Sequence, residues 1–300
     1  MGGASEDARR TAAGDRPTPA DARALWRVCE PVHAVTYFAP EVRDALKAVG
    51  LRGFWMGYTA ARLAPLGPIG PEVGTAVLHN FAPTMVARSL PDAWRYASPE
   101  AVLTARAEAL PRALAPFVED LDVGTIEAVT ASIRRATEAA GVEGRAMFAA
   151  HVALPWPDDP VLRLWHATTL LREHRGDGHV AALTAADLTG LEAHVLATAV
   201  RGGDPAVLRD NRGWSEDEWA RSVNALATRG LVDRTGAATA VGQEEHAAVE
   251  AVTDRLAARP LARLDRDDVA TLIATLAPVA QRIAATGLVP FPNPMGLPRP

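Results

Sequence analysis

The segment LREHRGDGH, residues 171–179, gathers two arginines, a glutamate, an aspartate and two histidines around two glycines. Three kinds of chemistry suit these residue types. A helix end needs a glycine past its last turn and cations beside its negative dipole. Gly176 or Gly178, with His174 and Arg175, would supply them, and Glu173 and Asp177 would pair with the arginines. A small-molecule site needs a few convergent polar groups in an apolar frame. His166, Thr169, Glu173 and, more loosely, His174 share one helical sector, because spacings of three, seven and eight residues return to one face. Arg172 and Asp177 lie beside them, and a glycine hinge would bring His179 back to the group. His33 and Tyr37, four apart in VHAVTYF, could form the far wall. A metal or haem centre would draw on His166, His174 and His179 with Glu173 or Asp177, either carboxylate then acting as general base towards a bound water. No HExxH, paired CxxC or facial-triad spacing accompanies them. The three readings stay open. The helix end is the first reading of the stretch; of the two functional ones the small-molecule site leads, with no metal assigned and the cofactor unspecified, and an enzyme using the same residues is an alternative.

Helices must carry these groups. PEVRDALKAVG opens with Pro40 in a first turn and closes with Gly50 past its end. SPEAVLTARAEAL has Ser98 as N-cap and Pro99 at N1, and GTIEAVTASIRRATEAAG starts near Thr125 and stops at Gly141. Alternating segments are almost absent, so residues 21–152 read as six or seven helices. LPWPDDP, residues 154–160, has three prolines in seven and marks the expected domain boundary. The helix after it, VLRLWHATTLLREHRGDG, is expected to end at the glycines. Three hundred residues at 48% hydrophobic composition can fill two cores. The predicted division is a disordered arm over 1–20, a helical domain over 21–153, a helical plus winged-helix domain over 160–286, and a proline-rich tail over 287–300. Phe291, Met295 and Leu297 would dock that tail on an apolar surface. Tryptophans, including Trp26 and Trp165, are expected in the core.

From Leu191 the order is helix, short helix, helix capped by Ser215, strand LVDR, turn TGAA, strand TAV, long helix: a winged helix-turn-helix with a small β-wing. The expected fold class is mainly α, a helical bundle followed by this unit. ALATRGLVDR, residues 225–234, resembles the end of a recognition helix and first wing strand of MarR-type regulators. EPVHAVTYFAPE, LWHATTLLREHRGDGHVAAL and GLVPFPNPMGLP together resemble an actinobacterial, SalK-like family of helix-turn-helix-containing proteins. That resemblance covers nearly all of the chain after the arm and carries over no catalytic residue. FWMGYTAARLAPLGP and LWHATTLLREHRGDG also share Trp, Thr and Arg at equal offsets, as fused related halves would.

Charge argues against the simplest DNA-binding reading. The chain carries a formal charge of −5, and residues 191–258 hold seven arginines against eleven carboxylates. The recognition helix would present SEDEW to the phosphates, three carboxylates that repel them. DNA is therefore a disfavoured partner and a small molecule the expected one, with a homodimer left open. His246 and Glu250 read as a solvated pair. The lone Cys29 suits a reducing compartment and a buried position. No apolar run reaches membrane-spanning length, no export signal is legible, and RGD at 175–177 is no adhesion motif without export; the expected location is cytoplasmic. GPIGPEVG lacks the Gly-Lys-Ser/Thr end of a phosphate loop, and no GxSxG elbow occurs. A ligand-binding helical protein with a degenerate winged helix, regulatory or accessory in secondary metabolism, is the leading expectation; a MarR-like DNA-binding regulator is the first alternative.

Overall fold

The computed structural model describes residues 16–291, 293, 295–297 and 299, and every regular element among them is helical. In chain order these are α1 (Pro19–Phe38), α2 (Pro40–Ala48), α3 (Gly53–Leu63), α4 (Pro71–Leu78), α5 (Pro83–Ala87), α6 (Ala93–Tyr96), α7 (Pro99–Val118), α8 (Val123–Glu138), α9 (Ala146–Val152), α10 (Pro160–Ala185), α11 (Gly190–Arg201), α12 (Pro205–Arg212), α13 (Glu216–Thr228), α14 (Ala240–Ala258) and α15 (Arg266–Ala285). The region up to residue 152 holds nine helices where six or seven were expected, since α4 to α6 are too short to leave a readable period. Helix α1 starts inside the arm expected over 1–20, with Thr18 and Asp21 forming a capping box; residues 1–15 of that arm lie outside the described residues.

Helix α10 is the axis of the fold. Its start follows from the proline-rich segment: Pro160 occupies the first turn, where its missing N–H costs nothing, and the Asp159 carboxylate accepts from Leu162 N at 2.8 Å. Its 26 residues extend about 39 Å, and residues 164–170 are all buried, so α10 meets protein on every side there. It contacts α1, α7, α8, α9 and α14.

The expected helix end and glycine hinge are corrected here: α10 runs through Gly176 and Gly178 unbroken to Ala185. Each glycine costs the helix roughly 0.5–1 kcal/mol relative to alanine, but close approach accounts for one of them. A Cβ on Gly178 would lie 3.0 Å from Arg145 Nη1 and 3.3 Å from Leu256 Cβ. The bare position lets Arg145 cross α10 and donate to the His174 carbonyl.

Two apolar cores result. The larger joins α1 to α9, the first half of α10 and α15; the smaller gathers Leu183, Leu191, Leu196, Leu226, Val232 and Val249. They divide within α10 and α14, both of which contribute to each core, rather than at 154–160. Val289 of the tail is buried in the larger core, where Phe291 and Met295 pack, and Asn293 braces the tail by accepting from Leu297 N at 3.1 Å.

The helix-turn-helix order of α11 to α14 is present, but the β-wing is not formed among the described residues. A single antiparallel bridge, Val232 to Ala238, stands in its place. The Asp233 carboxylate accepts from Thr235 N at 2.8 Å and Ala237 N at 3.0 Å and makes the tight turn. Asp233 N donates to the Ala237 carbonyl at 2.8 Å and Thr239 N to the Leu231 carbonyl at 3.1 Å on either side of the bridge, a pairing too short for two strands. Among the described residues no single helix is long and apolar enough to cross a membrane.

Candidate functional site

A cavity of about 220 Å³ opens where the two cores meet. Trp26 and Glu30 of α1, Tyr58 and Arg62 of α3, and Phe81 after α4 reach it from the bundle side; Trp26, expected in the core, belongs to neither apolar cluster. Helix α10 contributes Arg172, Glu173, Arg175, Gly176, Asp177 and His179. His194 and Arg201 of α11, Arg212 of α12, and His246 and Glu250 of α14 close it from the helix-turn-helix side.

One wall is an ion network centred on Glu173, whose side chain is only 1% exposed. Arg172 Nη1 donates to Glu173 Oε1 at 2.7 Å and its Nε approaches Glu30 Oε1 at 3.4 Å. Arg62 Nη2 lies 3.9 Å from Glu173 Oε2, while its Nη1 donates to the Tyr58 hydroxyl at 3.0 Å. Burial alone would raise the Glu173 carboxyl, but Arg172 and Arg62 outweigh it and hold the group well below the usual carboxylate range. Tyr58 follows the same logic: burial favours the phenol, yet Arg62, Arg212 and Arg172 together pull it below its ordinary value. A second network reaches the cavity through Arg175, Arg201 and Glu250. Glu250 meets Arg23 at 2.9 Å and Arg201 at 3.1 Å, and Asp254 meets Arg175 at 3.1 Å. The solvated pair expected of His246 and Glu250 is thus corrected, since Glu250 is mostly buried and paired with Arg23 and Arg201. Trp26 lies under Arg175, whose guanidinium carbon is 4.4 Å from the ring centroid.

The nine residues picked out from sequence divide. Arg172, Glu173, Asp177 and His179 line the cavity. His179 Nδ1 is 3.0 Å from Thr253 Oγ1, and that hydroxyl donates to the Val249 carbonyl. Nδ1 must then be the protonated nitrogen, leaving Nε2 as an acceptor. Burial pushes this imidazole down to about 4, so it is neutral at pH 7.

The other five sit elsewhere. His33 Nδ1 reaches Thr169 Oγ1 at 2.8 Å and its Nε2 meets the Tyr37 hydroxyl at 2.7 Å. Because Thr169 donates to the Trp165 carbonyl, His33 must donate to Thr169 and accept from Tyr37. These three groups satisfy one another and lock α1 to α10; the expectation that His33 and Tyr37 form a wall of this cavity is corrected. His166 turns to Trp156 and His174 to Phe148, each ring edge-on at 4.9 Å, and burial depresses both to about 3. The single sector expected of His166, Thr169, Glu173 and His174 is therefore split around the helix. Among the described residues no three His, Cys, Asp or Glu side chains converge on a metal position. Cys29 is buried, and burial raises its thiol.

Asp177, one turn beyond Glu173, has the opposite fate. Its Oδ2 accepts from Phe148 N at 2.8 Å, capping the first turn of α9 from a distance. Burial pushes its carboxyl up to about 6 from 3.8, Phe148 N–H and Arg145 restraining the rise and Glu173 adding to it. A group raised in the folded state stabilises fully below its unfolded value and loses that contribution as pH climbs through its folded value. Asp177→Asn keeps the acceptor for Phe148 without the charge. The unfolding free energy of the wild type minus that of this variant is expected to fall by about 2 kcal/mol between pH 4 and pH 7, read by urea unfolding; a pH-independent difference would contradict the assignment.

Sequence reasoning missed Tyr58, Arg62, His194 and Arg212. They come from three helices far from residues 171–179, and only Arg62 left a trace, in the echo between the two Trp-Thr-Arg phrases. Among known proteins, a family model described as a helix-turn-helix family matches residues 22–290, and no curated protein and no solved structure matches.

Proposed function

Because the chain belongs to a helix-turn-helix family over residues 22–290, we propose that it binds a small molecule in the cavity between its two cores. Occupancy there would set how firmly the helix-turn-helix unit is held against the bundle. The supporting observation is the set of polar atoms that the fold leaves unsatisfied at this place. Among the described residues Arg62 Nε, Arg175 Nε and His194 Nε2 are buried without hydrogen-bond partners, and all three residues line the cavity. An unmade buried hydrogen bond costs roughly 1–3 kcal/mol; the three atoms have almost no accessible surface, so a ligand gains these bonds by drawing the side chains round towards itself.

Gly176 provides a test that separates binding from folding. A Cβ there would find only Glu173 Oε2 within 4 Å, at 3.9 Å. Gly176→Leu should therefore occupy the cavity while recovering the glycine's helix cost of roughly 0.5–1 kcal/mol. Native mass spectrometry is expected to find a small molecule on freshly purified wild type and none on the variant, with melting temperature kept or raised. Bare protein in both cases would remove the reading.

Family membership favours a second reading, DNA binding through α13. The surface of that helix argues the other way. Ser215 and Glu218 form its capping box, Glu216 and Asp217 are exposed beside them, and Arg209 is drawn to Asp210 at 2.9 Å and Glu216 at 3.1 Å. We read the unit as structural, with weak and salt-insensitive affinity for duplex DNA; a steep linear fall of log affinity with log salt would favour the DNA-binding reading.

A further inference from the structure

We infer that Tyr58 is an acyl-accepting nucleophile: its phenolic oxygen attacks the carbonyl carbon of an activated ester or thioester that enters the cavity, leaving an aryl ester on the chain. The inference goes beyond reversible binding and needs only that a small molecule reach this cavity.

The chain has three tyrosines, and their hydroxyls are placed in three different ways. Tyr37 donates to His33 Nε2 at 2.7 Å, and burial raises its phenol, so that oxygen stays neutral within the contact between α1 and α10. Tyr96 stands at the surface, 38% exposed, with the Arg52 guanidinium carbon 4.3 Å from its ring centroid. Tyr58 lines the cavity. Its oxygen accepts from Arg62 Nη1 at 3.0 Å, and among the described residues its own proton has no acceptor. A phenol that accepts from a cation and donates to nothing is arranged for its anion. Losing the proton breaks no hydrogen bond and strengthens the one already made.

The surroundings act in the same direction. Arg62, Arg212 and Arg172 outweigh burial and hold this phenol below its ordinary value. Glu173, the carboxylate of the same network, is tied to Arg172 at 2.7 Å and lies 3.9 Å from Arg62. The Tyr58 ring is fixed by neighbouring rings, Tyr37 at 4.8 Å and Trp55 and Phe81 at 5.7 Å each between centroids. That packing sets the oxygen at one position on the cavity wall. Cys29, the one thiol in the chain, is buried and raised and does not line this cavity, so no sulfur competes there.

The step balances between the chain, the acyl donor and water. The phenol gives its proton to water, the phenolate oxygen bonds to the carbonyl carbon, and the bond from that carbon to the ester oxygen or thioester sulfur breaks. The leaving group departs with the electron pair and takes a proton from water.

The test treats the full chain with N-acetylimidazole, a small neutral acetyl donor whose leaving group is imidazole, and reads each tyrosine by peptide mass spectrometry. More phenolate at neutral pH speeds attack, offset in part because a weaker base is a weaker nucleophile, as thiolates show. Tyr58 is expected to be acetylated roughly threefold or more faster than Tyr96, although Tyr96 is the more exposed. Hydroxylamine should remove the label, as it does from an aryl ester, and Tyr58→Phe should leave that peptide unlabelled. Arg62→Gln should bring the Tyr58 rate down to that of Tyr96 or below. Arg62→Lys, which keeps the charge if the glutamine variant fails to fold, should retain part of the advantage. Tyr96 reacting as fast as Tyr58 or faster, or a Tyr58 rate unchanged in Arg62→Gln, would overturn the inference and leave the ligand reading standing. Bare wild type in native mass spectrometry, together with preferential acetylation of Tyr58, would remove the ligand reading and keep this one.

Discussion

Glu173→Gln is expected to lower the stability of the folded chain by about 3–5 kcal/mol, the usual cost of removing one partner from a buried ion network. The carboxylate sits on α10 with Arg172 from the same helix and Arg62 from α3. Removing its charge leaves two buried guanidiniums facing each other across a neutral amide. Glutamine fills the same space, so the loss reports charge and not packing. Arg62→Gln in the same chain should recover part of it, because the repulsion then has one member fewer. A double-mutant cycle in urea gives the coupling between the two positions. A loss below about 1 kcal/mol would mean that solvent reaches this network.

Gly190→Ala should be nearly as severe, for a steric reason. A Cβ at that position would stand 1.9 Å from the His79 carbonyl oxygen, 2.7 Å from its carbon and 2.9 Å from Asn80 Cα. All three are backbone atoms, so no rotamer change relieves the overlap, and the first turn of α11 must move away from residues 79–80. That turn is one of the links between the cores. Trp214 Nε1 donates to the Asn80 carbonyl at 3.0 Å and Ala82 N donates to the Arg212 carbonyl at 2.8 Å. The expected cost is at or above the top of the roughly 1–3 kcal/mol range for overpacking. Faster amide exchange in α11 to α13 than in α7 and α8 would locate the damage; uniform exchange would indicate that the units do not separate there.

Local signals in the sequence were legible where their chemistry is local. Ser98 and Ser215 as caps, Pro99 at a first turn and the order of α11 to α14 are all observed, since each depends on residues within a few positions of one another. The glycines at 176 and 178 misled for the converse reason. Their purpose is to admit Arg145 and to leave room in the cavity, and neither neighbour is visible from the sequence around them. Histidines misled too, because His33, His166 and His174 are chemically versatile residues buried in fixed packing roles.

Arg62 was legible in one way only. In the two phrases that echo each other, Trp55 corresponds to Trp165, Thr59 to Thr169 and Arg62 to Arg172. The two matched arginines meet at Glu173. A repeat that weak locates no site until the fold brings its halves together.

The most direct measurement is a crystal structure of the freshly purified protein, inspected at the cavity between the cores. Ordered density from a non-protein molecule, in contact with Arg62, Arg175 and His194, is the expected result. A cavity filled by ordered waters alone, each hydrogen-bonded to Arg62 Nε, Arg175 Nε or His194 Nε2, would contradict the assignment of this place as a ligand site.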